Sequence, residues 1–127
     1  RGSNKNHIIR ASLEAMAYQT YDVSRTMERD TGLKISSLAV DGGATLNGFL
    51  MQFQTDILDI SVHRAHQVET TALGAAYLAG LALDKWTQKD LQTFSELRTP
   101  FSPDMSEMER KSLLTGWETA IKQVQCI

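Results

Sequence analysis

The chain is short of almost every feature that would assign it a class at once. It has a single cysteine, Cys126, so no internal disulfide can form, and a reducing, cytoplasmic setting is the expectation. Its two prolines, Pro100 and Pro103, both fall late, which leaves everything before them open to long regular elements. Charge of either sign is not in excess: 13 basic against 15 acidic residues give a net charge of −2. No basic field therefore invites nucleic acid or an anionic membrane surface. The longest apolar run, Thr71 to Leu83 between Glu69 and Asp84, is shorter than the roughly 20 residues that a membrane-spanning helix needs. Arg1-Gly2-Ser3-Asn4 opens without the apolar core of a signal peptide. An initiator Met is also missing, and a piece of a longer protein is the expectation.

What remains is an ordinary globular composition, 42% hydrophobic and 22% charged, over 127 residues, a length for one domain rather than two. Ile9, Leu13, Met16, Thr20, Val23 and Met27 recur at the spacing of one helical face, predicting a helix over about 7–28 with Asn6 as N-cap and Gly32 as its stop. Ser37 to Val40 reads as a short buried strand. A helix over about 47–58 follows, with Leu46, Leu50, Phe53 and Ile57 on one face. Ile60 to Arg64 alternates as a half-buried strand does. The Ala- and Gly-rich segment over about 71–85 predicts a helix packed closely against a sheet or another helix. From Trp86 to Pro103 the pattern loosens into a loop with Phe94, Leu97 and Phe101 as single anchors, the prolines breaking regular structure. Ser106-Glu107-Met108-Glu109 is a capping box that starts a last helix striped by Leu113, Leu114, Trp117, Ile121 and Val124. Helix and strand alternate, which predicts an α/β layer with parallel strands. Two short strands make a marginal sheet, so its completion is expected from another segment.

The segment Val40-Asp41-Gly42-Gly43-Ala44-Thr45-Leu46-Asn47 carries the most chemistry. A strand end, two glycines and a helix start bring free backbone N–H groups and the positive end of a helix dipole to one spot, an anion-binding arrangement. A plain strand-to-helix turn uses the same residues. Asp41 reads as an acceptor that orders the turn rather than as an acid or base. Asn47 either caps the helix or offers its amide, donor and acceptor together, to a purine edge. Elsewhere the sequence is chemically quiet. His63 and His66 lack a third ligand and do not share a strand face. No Gly-x-Ser-x-Gly elbow or comparable setting picks out a nucleophile. His7 reads as a capping or packing residue, Arg10 and Glu14 as a surface pair, and Met16, Met27, Met51 and Trp117 as core.

Three segments in order resemble the FGGY carbohydrate kinases. They are His7-Ile8-Ile9-Arg10-Ala11-Ser12-Leu13-Glu14, then Asp41-Gly42-Gly43-Ala44 with Asn47 and Phe49-Leu50-Met51-Gln52-Phe53-Gln54, then Thr71-Ala72-Leu73-Gly74-Ala75-Ala76-Tyr77. The Gly-Gly-Ala form is similar to the glycerol-phosphorylating branch of that family; the other sugar and polyol kinases of the family are the alternative, and a non-catalytic actin-like ATPase module a more distant one. Gly48 and Ala65 depart from the family's usual Asn and Pro. The resemblance implies an α/β fold, part of an actin-like ATPase (ribonuclease H-like) domain with its sheet incomplete in this chain. It implies that residues 1–127 are the latter, nucleotide-binding part of the C-terminal kinase domain, the catalytic N-terminal domain lying outside. It further implies ATP with Mg²⁺ as cofactor, with Gly43 meeting the phosphates, Asn47 the adenine, and Gly42 and Ala44 shaping the turn. Neither the catalytic base, the glycerol site nor the Mg²⁺ ligands are expected here. A homo-oligomeric parent without nucleic-acid or membrane partners completes what the resemblance implies.

Overall fold

A computed structural model of the chain describes residues 2–67, 69–95 and 98–125. Leu97 and Cys126 lie outside the described residues, as does the side chain of Phe94. In chain order the elements are α1 (Lys5–Thr31), β1 (Ser37–Val40), a 3-10 turn (Gly43–Leu46), α2 (Gly48–Leu58), β2 (Ser61–Ala65), α3 (Thr70–Ala82), α4 (Gln88–Ser95), β3 (Arg98–Phe101) and α5 (Glu107–Gln125).

Local chemistry sets the ends of the first helices. Asn4, not Asn6, caps α1: its side chain accepts from the N–H groups of Asn6 and His7, and His7 Nδ1 accepts the Asn4 N–H at 3.1 Å. This reciprocal pair satisfies donors that a helix start leaves open. Gly32 ends the helix at φ 71°, its N–H bonded to the Glu28 carbonyl, the left-handed cap that glycine adopts without strain. Ser106 Oγ accepts the Glu109 N–H at 3.2 Å at the head of α5; no return bond from Glu109 forms among the described residues, so half of the predicted box is made.

The core is narrow and centred on α2. Leu50, Met51, Phe53 and Ile57 are buried there, and Ala17 and Tyr18 of α1 and Val62 of β2 complete the cluster. Tyr18 meets Phe53 edge-on at 5.5 Å and stacks on Trp117 of α5 at 5.1 Å, and the Trp117 indole N–H donates to Asp22 at 2.8 Å. Three helices thus meet on one tyrosine, and burial pushes its phenol pKa up. Buried Asp56 accepts from Gln52 and from the Asp104 backbone, which ties the stretch after β3 to α2.

The α1 face differs from the expected one. Ala17 and Tyr18 face the core with Leu13 and Tyr21, whereas Ile9, Met16, Val23 and Met27 are exposed. The covered face is turned about 100° from the predicted stripe, since one residue of offset is that angle. Met51 and Trp117 pack in the core as expected; Met16 and Met27 do not. At the far end of α5 Val124 also stays exposed, and Leu46 lies in the 3-10 turn, 63% exposed, rather than on the α2 face.

The sheet has three strands in the order β1-β2-β3. β1 and β2 are parallel, with Val40 opposite Arg64, as the helix between them requires. β3 is antiparallel to β2, with Phe101 opposite Val62 and Pro100 opposite His63. The region expected to be a loop therefore holds a helix and a strand. Pro100 is tolerated because β3 is an edge strand, where a missing N–H breaks no second ladder. Thr87 and Asp90 start α4 by the same reciprocal capping, Asp90 accepting from the Thr87 N–H and hydroxyl. Those two bonds hold the Asp90 carboxyl below its ordinary range, the backbone one most. Nor is α3 packed in a sandwich: Leu78 is 70% exposed. Its one buried residue is Gly80 near the C-terminal end, where the Trp86 ring sits against it and donates to the Tyr77 carbonyl at 2.9 Å. No helix among the described residues is long and apolar enough to cross a membrane.

Candidate functional site

β1 delivers its last residue, Val40, to the edge of the sheet, and the chain then turns away through Asp41 and Gly42. Gly42 sits at φ 88°, ψ 165°, a backbone conformation that essentially only glycine takes up. From there the chain winds into the 3-10 turn. Thr45, only 5% exposed, closes it twice: its N–H donates to the Gly42 carbonyl at 3.1 Å and its hydroxyl donates to the same oxygen at 2.7 Å. The Asn47 N–H donates to Ala44 at 3.2 Å, and Asn47 Oδ1 accepts the Leu50 N–H at 3.1 Å, so Asn47 is the N-cap of α2. Asn47 itself is exposed, and its Nδ2 has no hydrogen-bond partner among the described residues.

This arrangement alters the geometry expected from the sequence. The Gly-Gly pair does not open directly onto α2; a 3-10 turn intervenes. The N–H groups of Gly43 and Ala44 precede the first i→i+3 bond of that turn and have no acceptor among the described residues. Gly43 is exposed and has no positive φ, and a Cβ built there would meet nothing within 4 Å. Gly42 is thus explained by its own backbone, while nothing in this chain requires glycine at 43. Gly42 and Asn47 flank the 3-10 turn as its two caps, and Gly43 and Ala44 are its first two residues.

Asp41 has a different place from the one expected. Its carboxylate accepts from the Thr70 hydroxyl, which ties the end of β1 to the start of α3. Thr45 and Arg64 hold the turn instead, and sequence reasoning missed both. A hydroxyl three residues after Gly42 was the available signal for Thr45; the role of Arg64 depends on strand register, which one sequence does not display. A half-open cleft of about 200 Å³ beside the turn is lined by Val40, Asp41, His63, Thr70 and Arg98 among others; Gly43 and Asn47 lie outside it. Among the described residues no group of three His, Cys, Asp or Glu is placed to hold a metal ion. Arg10 and Glu14 form the expected surface pair at 2.6 Å.

Comparison with known proteins gives this geometry its setting. A glycerol kinase of Desulfitobacterium hafniense is 53% identical over 125 residues, 98% of this chain and 25% of that protein. The crystal structure of a Plasmodium falciparum glycerol kinase with ADP superposes with a TM-score of 0.78 at 32% identity, covering 97% of this chain and 26% of that one. A xylulose kinase from Lactobacillus acidophilus shares the fold, with a TM-score of 0.71 at 17% identity over 96% of this chain and 24% of its own. The fold is that of an actin-like ATPase domain with a small, incomplete sheet. The chain spans about a quarter of the length of the curated relatives that it matches. The model of the FGGY family of carbohydrate kinases, C-terminal domain, matches residues 1–83, and the chain belongs to that family.

Proposed function

We infer that this chain is the nucleotide-binding latter part of the C-terminal domain of an ATP-dependent kinase, one that phosphorylates glycerol to sn-glycerol 3-phosphate. The supporting observation is the turn at residues 42–47. It presents two unsatisfied N–H groups beside a glycine for which the chain itself has no use. A glycine with open space above an N–H pair suits close approach of a phosphate oxygen, which any side chain would block. Gly43 then meets the phosphates with its backbone, Ala44 adds the second N–H, Gly42 gives the turn its shape, and the free NH₂ of Asn47 faces the adenine edge. Capping and base recognition are compatible on one asparagine, because Oδ1 serves the helix and Nδ2 the ligand. The ADP named with the Plasmodium protein and the glycerol kinases among the relatives support both halves of the reading.

The chemical step belongs to the longer protein. Phosphoryl transfer depends on positioning and charge stabilisation across a closed cleft. The base that takes the glycerol proton, the glycerol site and the ligands of the nucleotide's Mg²⁺ are assigned to segments outside residues 1–127. On this chain Asp41 is already engaged by Thr70, so no metal role is given to it. The uncovered faces of α1 and α3 fit a domain that continues beyond this segment.

Amide chemical-shift mapping with ADP tests the site: shifts confined to residues 42–47 support it, and shifts elsewhere or none refute it. A substrate panel on a full-length protein carrying this segment tests the acceptor. Turnover of glycerol above other polyols is expected, and turnover of a pentulose or hexulose without glycerol would replace the assignment.

A further inference from the structure

The geometry points to Arg64 as the positioning residue of the 42–47 turn: its guanidinium holds the Thr45 carbonyl and thereby sets the direction of the N–H groups at Gly43 and Ala44. This rests on the nucleotide reading above and deepens it.

Arg64 stands on β2 opposite Val40, the last residue of β1, so its side chain emerges next to the point where the turn begins. Nη1 donates to the Thr45 carbonyl at 3.3 Å, a contact between residues 19 positions apart. On its other side the guanidinium lies 5.6 Å from the centroid of the Phe101 ring on β3, within the range of a cation–π contact. No carboxylate lies within ion-pair distance of Arg64 among the described residues. One planar group is therefore fixed by an aromatic face and spends its hydrogen bond on the turn.

The consequence follows from the turn's own bonding. Thr45 anchors the turn to Gly42 through its N–H and its hydroxyl, so its peptide is restrained at one end. Arg64 restrains the carbonyl at the other end. The Gly43 and Ala44 peptides are closed between Gly42 and Thr45, so holding Thr45 from its carbonyl side as well steadies that closed turn and with it the two N–H groups that have no acceptor among the described residues. Preorganised donors of this kind bind an anion without first having to be ordered. A lysine keeps the charge but not the planar fork, which makes Arg64→Lys an informative partial replacement.

Two readouts on the intact chain test the assignment, using wild type, Arg64→Lys and Arg64→Gln. The first is amide hydrogen exchange at Thr45 and Asn47, the N–H donors inside the turn. Exchange there is expected to quicken on the order of tenfold in Arg64→Gln, as loss of one charge-assisted bond predicts, and less in Arg64→Lys, with protection of the α2 core unchanged. The second is titration with ADP and with adenosine: Arg64→Gln should weaken ADP while leaving adenosine unchanged, because only the phosphates meet the Gly43 end. Wild-type exchange rates at Thr45 and Asn47 in both variants would overturn the proposal. So would equal loss of both ligands together with faster exchange throughout α2, which would make Arg64 a general folding residue. Wild-type protein that binds no ADP would overturn the nucleotide reading instead, and the exchange result alone would still decide whether Arg64 holds the turn.

Discussion

α2 and α3 are both apolar helices, yet they meet opposite environments. α2 buries Leu50, Met51, Phe53 and Ile57 against α1, β2 and α5. α3, with only Ala, Gly, Leu, Tyr and Thr between Thr70 and Ala82, has Gly80 as its one buried residue, and Leu78 is 70% exposed. Composition says that a helix needs covering; only the other elements present decide whether it is covered here. α1 repeats the lesson within one helix, with Ala17 and Tyr18 packed and Ile9, Met16, Val23 and Met27 left outside. In the proposed account this asymmetry is that of a domain whose remaining parts lie in the rest of a longer chain.

The contrast can be broken most sharply by substitution. Ile57→Ala empties a fully buried site and is expected to lower stability by about 2–5 kcal/mol. Leu78→Ala removes the same class of side chain from solvent and should change stability by no more than about 0.5 kcal/mol. Urea denaturation of the two variants decides the matter, and similar losses in both would mean that α3 is packed in solution. At the turn, Gly42→Ala forces a Cβ into φ 88° and should cost about 1–3 kcal/mol, whereas Gly43→Ala should be close to neutral in the absence of ligand. Thermal melts of the pair compare a glycine needed by its own backbone with one that is not.

The smallest expected effect is electrostatic. Glu28 accepts the Ile35 N–H at 2.9 Å and pairs with Arg25 and Lys34, and the Ile35 bond foremost holds its carboxyl below the ordinary value. A lowered folded pKa adds stability above the unfolded pKa and loses it as pH falls through the folded one. Stability of wild type should therefore fall more steeply than that of Glu28→Gln below about pH 5, with parallel curves above it; parallel curves throughout would remove Glu28 from the account.

How far the sequence carried differs by element. The bounds of β1 were legible because the apolar run Leu38-Ala39-Val40 stops just before Asp41 and two glycines, although no residue of the strand is buried, and α2 because its cap and its stripe, Leu46 apart, agreed. The face of α1 was not, since Met16 and Val23 continue a regular stripe that this chain does not cover. α4 and β3 do not follow from the pattern, because Pro100 reads as a breaker, although the Thr87–Asp90 cap is visible and an edge strand accepts proline. Around the turn, the strand end, the two glycines and the helix start at Asn47 were legible, while the bond from Asp41 to Thr70 and that from Arg64 to Thr45 were not. Both join distant parts of the chain, Arg64 through the sheet register and Asp41 through where α3 begins, and local pattern encodes neither.

On the proposed function, the 42–47 turn receives the phosphates of a nucleotide. Calorimetric titration of ADP into wild type, Gly43→Asp and Asn47→Ala measures it directly. Binding to wild type is expected, with its loss in Gly43→Asp, where a carboxylate would occupy the phosphate space, and weaker binding in Asn47→Ala with the fold intact. Equal affinity in all three proteins would contradict it.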